Sequence, residues 1–581
     1  MFKFKKEDDE NLKLPIGDEE IASARQILGR YKRDKMNLEQ KIISNEDWWK
    51  LRHWEQSRKN KDDFKPASAW LWNVIVSKHA ETMDSFPEPN ILPRMPDDRD
   101  EAKKLSSVIP LILEQNDIEN VYSDIQWYKL KQGTGVYGIF WDSTKNGGLG
   151  DISVKKVDLL SLFWEGGVNN IQDSKNLFYV NLCDNESLIE AYPQLDGKLM
   201  SASNELARYR YDDNVDINGK SAVVDWYYRK HKNGKTILHF CKFVGDTLLF
   251  STENLPNEYP NGWYEHGLYP FVFDPLYSIE GTPCGYGYID IAKDTQMQID
   301  LLNNSIVNNA MLASKPRYFI RGDGSINEEE FADWTKDFVH TNSTLGKDSI
   351  LQIDVNPING IYVNILNNKI DEIKETLGNR DSANGGISNG VTAASAIAAL
   401  QEAGGKLSRD STRASYCAYK LVIAQCIELV RQFYDCPRFF RIIGKTGESN
   451  FTSYSNKGIL PKYQGERFGM DMGYRMPVFD IEISVQKCNP YSKMSQNELA
   501  LQFYNLGFFE PSKSEMALSC LEMMDFPRKE SIINRIIENS ASRNNQSVGT
   551  LPLANGKKAV LPGEAANIVK AKMMAAESVS P

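Results

Sequence analysis

The 581-residue sequence lacks the features that would place a protein in a membrane or outside the cell. No stretch approaches about 18 uninterrupted apolar residues, the length of a spanning helix, so no membrane insertion is expected. The first residues, MFKFKKEDDE, turn acidic where a signal peptide would become apolar. The eight cysteines are scattered without a CxxC pair, which predicts reduced thiols in a cytoplasm-like compartment and no zinc site.

Motifs for catalysis are also missing. The sequence has no GxxxxGK[ST] phosphate loop, and its six histidines form no HxxH, HxxxH or HExxH pair. No nucleophile and base stand at a spacing that would pair them. The sequence therefore predicts no catalytic residue, no metal site and no cofactor, and it favours a structural or interaction protein over an enzyme.

Two weak motifs are better explained as structure. The stretch GTPCGYG at 281–287 is rich in glycine but does not follow the strand-to-helix pattern of dinucleotide sites. The stretch NVDINGKSAVVD at 214–225 resembles a calcium loop at its first, third, fifth and sixth positions. Its twelfth position holds Asp225 instead of glutamate and a strand follows, so a turn before that strand is preferred.

The sequence has no excess of positive charge, with 68 lysines and arginines against 78 aspartates and glutamates. The formal net charge is −10, with 41% hydrophobic and 25% charged residues, which is typical of a folded protein. Proteins that grip nucleic acid usually carry a basic surface, because neutralised phosphates supply most of the affinity. The acidic balance argues against tight, extensive, non-specific binding, and it leaves nucleic acid open as a partner.

The first half of the chain predicts helices and then strands. Helical patterns cover Glu19–Lys35, Ser44–Lys59, Ala67–Ser85 and Asp97–Gln132, with Pro110 as the candidate break in the fourth. GTGVYGIFWD then predicts a strand. VVDWYYRKHKNGKTILHFCKFVGDTLLFST predicts a three-stranded meander with a tight turn at Asn-Gly.

A small α+β insert between two helices is the clearest pattern of the second half. The first helix runs from about Tyr286 to Ser314, with one apolar stripe and one amide-rich stripe (Gln296, Asp300, Asn304, Asn308) that suits a wet surface. Arg317–Ile365 then holds three predicted strands, RYFI, ILQI and IYVNIL, around an acidic helical piece at Asn327–Phe338. The second helix follows from Leu366.

A loop of small and amide residues, Ala383–Gly390, precedes a very long helical pattern from Thr392 to Asp435. Gly404 and Gly405 interrupt that pattern, and two interior glycines cost about 1 kcal/mol each, so a hinge is expected there. Strands follow at RFFRIIG and FDIEISVQ. Helices return at Ser492–Leu506 and Lys513–Ser540, before a tail rich in small residues.

Four stretches, taken in order, carry a resemblance to a known family. They are LKQGTGVYGIFWD, the segment from YPFVFDPLYSIEGTPCGYGYIDIAKDTQMQ to KPRYFI, NGVTAASAIAALQEAGG, and VQKCNPYSKMSQNELALQFYNLGFFEP. Each is loose alone. Their order, over about residues 20 to 540, resembles the bacteriophage portal protein.

The resemblance implies an α+β, mainly α, fold assembled as a ring, with wing, stem, clip, tunnel loop and helical crown. The implied boundaries are a wing at 1–285, stem helices at 286–315 and 366–382, a clip at 316–365, a tunnel loop at 383–391, a long kinked wing helix at 392–435, wing strands at 436–491, a crown at 492–540 and a flexible tail at 541–581.

The same resemblance implies roles for named residues. Those facing DNA in the tunnel loop would be Asn384, Gly385, Gly386, Ile387, Ser388, Asn389 and Gly390, with the helix hinge at Gly404 and Gly405. Stem packing would use Ile299, Leu302, Ile306, Leu366, Ile370, Ile373 and Leu377. The clip interface would use Tyr318, Phe319, Ile320, Trp334 and Phe338.

The implied function is a structural, non-enzymatic ring at one capsid vertex. Twelve copies would form the channel for double-stranded DNA during packaging and ejection. The expected partners are the terminase large subunit, the major capsid protein and scaffold, and a head-tail adaptor protein. The expected location is the virion, and the host cytoplasm during assembly.

Two alternatives remain open from the residues. Another phage connector or scaffold is one, although such connectors are usually much shorter. A nuclease that holds a metal through carboxylates such as Glu328–Glu330 is the other, although an acidic helix start is more commonly solvated.

Overall fold

A computed structural model shows the fold. It describes residues 15–55, 67–199, 206–209, 219–232, 234–314, 317–320, 322, 326–333, 335–341, 350–353, 359–379, 406–443, 449–467, 470–471, 473–487, 501–506, 518–519, 521, 532–533, 535–537, 549–552 and 558–561. The chain divides into two compact units, 1–486 and 487–581, which are described separately.

One long helix, α1 (Asp18–Trp49), opens the first unit. Two helices were predicted here, Glu19–Lys35 and Ser44–Lys59, and that prediction is wrong. The residues between them, MNLEQKII, include neither proline nor glycine, so nothing ends the first helix. The helix ends at Trp49, just before Leu51 adopts a left-handed backbone (φ 57°).

The helix break that was predicted at Pro110 lies at Asp117 instead. After α2 (Trp70–Met83) and strand β1 (Ser85–Pro93), helix α3 (Arg99–Gln115) contains Pro110 in its interior, and α4 (Ile118–Gln132) follows. Asp117 separates α3 from α4 because its left-handed backbone (φ 53°) cannot continue a helix. Strand β1 was not predicted, because its three prolines are typical of loops.

Two antiparallel sheets form the middle of the unit. β2 (Thr134–Asp142) lies between β3 (Asp151–Lys156) and β9 (Phe271–Pro275). The second sheet has the order β4-β5-β6-β7-β8. Its strands are β4 (Leu162–Trp164), β5 (Asn176–Asp184), β6 (Lys220–Lys232), β7 (Lys235–Val244) and β8 (Thr247–Ser251). The predicted strand at β2 and the predicted meander β6-β7-β8 are confirmed.

The five-stranded sheet is covered on both faces. Side chains of one face, including Phe178, Val224 and Phe243, pack against α1. Alternate residues of the same strands, including Leu177 and Tyr227, point into the large central core. A short helix, α5 (Asn185–Ala191), follows β5. Successive side chains of a strand point to opposite faces of the sheet. Because both faces of this sheet are buried, both sets of side chains are apolar.

The predicted insert is present with different boundaries. After the β10–β11 pair (Tyr277–Ser278 with Gly285–Tyr286), α6 spans Tyr288–Ser314. The strands predicted at RYFI and ILQI are confirmed as β12 (Arg317–Ile320) and β13 (Ile350–Ile353), and the two pair antiparallel. The acidic helix α7 covers only Glu328–Ala332, because Asp333 turns the chain by accepting from the Thr335 N–H (3.1 Å).

The third predicted strand, IYVNIL, is wrong. These residues form the start of α8 (Gly360–Thr376), whose first turn Asn359 caps. Their β-branched and aromatic composition favours a strand, but the Asn359 side chain accepts the Ile361 N–H (3.4 Å) and starts a helix instead.

Helix α9 (Lys406–Phe433) packs into the central core through Tyr419, Ile423 and Val430. The strands after it include the predicted β14 (Arg438–Ile443) and β20 (Phe479–Lys487). β14 pairs with β15 (Ser449–Tyr454), and β20 pairs with β1. Short pairs β16–β19 and β17–β18 lie between them, with strands Lys462–Tyr463, Glu466–Arg467, Met470–Asp471 and Tyr474–Arg475 in chain order.

The second unit is described only in pieces. Phe503, Leu521 and Ile536 form a small buried cluster, consistent with the helical patterns in this region. Near the C-terminus, β21 (Gly549–Pro552) pairs antiparallel with β22 (Lys558–Leu561).

Candidate functional site

The helices α6 and α8 pack together at one end, and their apolar side chains become more exposed toward the insert. Ile299 of α6 and Ile373 and Leu377 of α8 are each 1% exposed, and they share one cluster with partly buried Leu366 and Ile370. Leu302 and Ile306, placed on the same predicted stripe, are only half-buried. The structure therefore brings together five of the seven predicted stem-packing residues.

Apolar side chains near the insert end of these helices are exposed. Met311 and Leu312 at the end of α6 are 55% and 43% exposed. Ile361 and Tyr362 at the start of α8 are 56% and 46% exposed. Contiguous exposed apolar residues are candidates for contact with another protein.

The amide-rich stripe of α6 does not face solvent along its whole length. Gln296 and Asp300 are buried, so the predicted wet surface can begin only beyond them. Asp300 accepts from the Ser68 N–H (2.8 Å) and contacts His53 Nε2 (2.9 Å). Gln296 accepts the Leu71 N–H (3.2 Å). These bonds anchor α6 to the segment between α1 and α2 and to the first turn of α2.

The insert presents aromatic residues outward. Phe319 on β12 stands opposite Leu351 on β13, and they are 63% and 61% exposed. Tyr318, on the other face, meets Phe331 edge to face at 5.1 Å. Phe338 is 79% exposed, and Ile320 is half-buried. Trp334, the fifth predicted interface residue, lies outside the described residues.

The acidic cluster proposed as a metal site is used differently. Glu330 accepts from the backbone N–H of His340 (2.9 Å) and contacts its ring Nδ1 (2.7 Å). The backbone bond is the main cause that lowers the pKa of this carboxyl. Among the residues that the structure describes, no group of three or more His, Cys, Asp or Glu side chains is placed to share a metal ion.

Two buried lysines, which the sequence analysis did not single out, form hydrogen bonds with helix α9. Lys129 of α4 is fully buried and pairs with Asp274 of β9 (2.7 Å). It also donates to Ser415 Oγ (2.7 Å) and to the carbonyl of Ser411 (3.4 Å). Lys78 of α2 donates to Ser408 Oγ (2.7 Å). Serines at 408, 411 and 415 share one helical face, and that spacing is the signal that could have indicated a buried polar contact on α9.

The glycine-rich stretch at 281–287 is structural. It forms the turn between β10 and β11, where the backbone of Gly285 approaches that of Gly133 closely. At the loop that resembled a calcium site, Asp225 lies in β6 and pairs with Lys242 (3.3 Å). The other candidate ligands of that loop lie outside the described residues.

A second uncovered apolar surface lies elsewhere on the first unit. A groove of about 920 Å³ is bounded by β9, one face of α9 and residues 476–481. Leu421, Met476 and Val478 line it and are 57%, 49% and 45% exposed. This surface involves none of the exposed residues at the insert end of α6 and α8.

Neither the predicted loop nor the predicted hinge can be placed. Asn384–Gly390, together with Gly404 and Gly405, falls outside the described residues, which end at Asn379 and resume at Lys406. Among the described helices, none is long and apolar enough to cross a membrane.

The described residues thus contain two helices around a small α+β insert, followed by a long helix of the core, in the order that the sequence analysis led us to expect. Residues 81–577 match the model of the Phage P22-like portal protein family. The match covers most of the sequence, so the chain belongs to this family, whose role is structural and lies at the capsid vertex. No curated protein gives a significant match.

Proposed function

We propose that this chain forms a closed ring of twelve copies whose channel conducts double-stranded DNA into the capsid during packaging and out of it during ejection. The observation that carries this proposal is the exposed apolar surface formed by the insert and the adjoining ends of α6 and α8. A single chain leaves Phe319, Leu351 and Ile361 in water, and a neighbouring copy would cover them.

A ring requires two different contact surfaces on each copy. In a cyclic assembly, one surface of a subunit meets a different surface of the next. The insert end of α6 and α8 supplies one candidate, and the groove lined by Leu421, Met476 and Val478 supplies another. Two separate uncovered apolar surfaces on one chain support a heterologous ring better than a two-fold dimer.

The parts take the proposed roles of stem (286–315 and 366–382, with the helix start at Gly360 extending the second), clip (316–365) and tunnel loop (383–391). Residues 1–285 with 392–491 would form the wing, 492–540 the crown, and 541–581 the tail. Asn384–Gly390 would face the DNA, and Gly404–Gly405 would bend the wing helix.

The charge of helix α6 suits sliding DNA. The part of α6 after Asp294 carries no lysine or arginine, and its one charged residue, Asp300, is buried. Each fixed contact between a cation and a phosphate adds binding energy that a moving duplex must break. A channel wall with few cations would guide DNA without holding it.

The clip would dock the terminase large subunit during packaging and a head-tail adaptor afterwards. The exposed Phe338 provides an apolar anchor there, and aromatic anchors dominate many interfaces. The wing would face the major capsid protein and the scaffold. The protein would assemble in the host cytoplasm, remain in the virion and act without catalysis.

Negative-stain microscopy of the purified protein tests this proposal. We expect rings with a central hole wide enough for a DNA duplex, and image classes with twelve-fold symmetry. A species that stays monomeric at every protein concentration would contradict it. Incubation with plasmid DNA and Mg²⁺ should leave the plasmid intact.

A further inference from the structure

Lys78 connects the two helix ends that border residues 380–405. It lies on α2, is 4% exposed, and contacts the end of α8 and the start of α9 at once. The two helix ends are far apart in sequence from Lys78, by 300 and 330 residues. One ammonium group therefore fixes both sides of the interval.

The end of α8 presents a backbone carbonyl to this lysine. Gly378 adopts a left-handed backbone (φ 66°), and the Asn379 N–H donates back to the carbonyl of Lys374 (2.9 Å). This is the hydrogen bonding of a Schellman C-cap, which ends a helix sharply. The carbonyl of Gly378 then accepts from Lys78 Nζ (3.1 Å).

The start of α9 closes a polar triangle with the same lysine. Lys78 Nζ donates to Ser408 Oγ (2.7 Å), and Ser408 Oγ donates to Glu81 Oε2 (2.7 Å). Glu81 in turn lies 3.2 Å from Lys78 Nζ. The ammonium has three N–H donors, and Gly378, Ser408 and Glu81 give it three acceptors, which is what a buried cation requires.

We propose that Lys78 is a positioning residue that holds the end of α8 and the start of α9 at a fixed spacing. This inference rests on the proposed function, which places a DNA-facing loop between these two ends. Force from moving DNA on that loop would pass into α2 through Lys78. Lys129, bound to Ser411 and Ser415, secures the following turns of α9.

Hydrogen exchange on the full-length protein tests the contact itself. In Lys78→Met we expect the amides of Leu377–Asn379 and of the first turn of α9 to exchange about tenfold faster, because bonds from a charged donor are lost. The second half of α9 should keep its wild-type exchange. Equal exchange in the variant and the wild type would overturn the proposal.

Lys104→Met is the matched control. Lys104 also pairs with a glutamate three residues away, Glu101 (2.7 Å), but it is exposed and joins no second element through this pair. We expect its exchange to match the wild type. Ser408→Ala is the second variant, to be used if Lys78→Met does not fold. In it, Lys78 retains its contacts with Gly378 and Glu81. Hydrogen exchange should therefore become faster only at the start of α9.

DNA retention in capsids assembled with each variant tests the role. We expect rings to form in all cases, and Lys78→Met capsids to retain several-fold fewer full-length genomes than Lys104→Met capsids. Faster exchange with unchanged retention would overturn the positioning role. If wild-type rings support no packaging, the proposed function fails, while the exchange result still decides the contact.

Discussion

At the scale of single residues, the buried charge of Lys129 is the most exacting feature of the core. Its ammonium and the carboxylate of Asp274 are both fully buried and lie 2.7 Å apart. Gln126 also donates to Asp274 (3.3 Å). Removing one partner of a buried pair leaves an uncompensated charge, so the pair is costly to break.

Lys129→Met should therefore destabilise the protein by about 3–5 kcal/mol. Thermal unfolding followed by circular dichroism would measure the loss as a fall in melting temperature. Lys104→Met, which breaks an exposed pair, should change stability by less than about 1 kcal/mol. Equal melting of the two variants would contradict the prediction.

His266 should make the stability of the protein depend on pH. Burial, followed by the charge of Arg229, lowers the pKa of this imidazole to about 4. Its ring Nδ1 accepts the Leu268 N–H (3.0 Å), which requires a neutral ring. The unfolded chain, with an ordinary histidine pKa of about 6.5, binds a proton that the folded chain refuses.

This histidine should contribute stability that is complete above about pH 6.5 and is lost as the pH falls toward 4. Melting temperatures measured between pH 7 and pH 4 should fall less steeply for His266→Gln than for the wild type. Parallel curves for the two proteins would show that His266 titrates normally in the folded state.

At the scale of elements, Gly133 is the junction of α4, β2 and β11. It caps α4 with φ 88°, and its carbonyl accepts the Leu276 N–H (2.8 Å). An added Cβ would lie 2.3 Å from the Gly285 carbonyl oxygen. The three nearest atoms all belong to the backbone of residues 285–287, so no side chain could move aside to make room.

Gly133→Ala should destabilise the protein by more than about 3 kcal/mol, because a backbone clash adds to the strain of a left-handed residue. Gly234→Ala is the control: it has φ 75° but open space around its Cβ, so only about 1 kcal/mol is expected. Chemical denaturation would compare them. Similar losses for both would mean that the junction adjusts.

The sequence predicts elements where local pattern and tertiary packing agree. The meander β6-β7-β8 and α6 follow from turn residues and helical spacing. IYVNIL and β1 were missed because composition favoured a strand in one and a loop in the other. A cap at Asn359 and pairing with β20 decided them. The serine spacing on α9 is visible in the sequence, but its partners Lys78 and Lys129 lie hundreds of residues away and could not be identified from it.

At the scale of the whole molecule, assembly should depend on the exposed face of the β12–β13 strand pair. Phe319 and Leu351 are opposite each other and mostly exposed in the single chain. Burying an apolar side chain of this size contributes about 1.5–3 kcal/mol, and a ring would repeat the gain at each contact.

Phe319→Ser with Leu351→Ser should leave the melting of the single chain unchanged and reduce the fraction of rings on dilution. Native mass spectrometry over a concentration series would measure both species. The exchange Phe319→Leu with Leu351→Phe keeps the apolar area and should assemble like the wild type. Rings of unchanged stability in the serine variant would place this face outside the contacts between copies.

The family match begins at residue 81, yet two features that stabilise the fold lie before that residue. Helix α1 covers one face of the five-stranded sheet, and Lys78 of α2 holds α8 and α9. A shortened chain that starts at residue 81 would expose Phe178, Val224 and Phe243 to water. The region that matches the family should therefore be less stable without α1 and α2, and a shortened form should keep them together with Ile16, which belongs to the same buried cluster as α1 and the sheet.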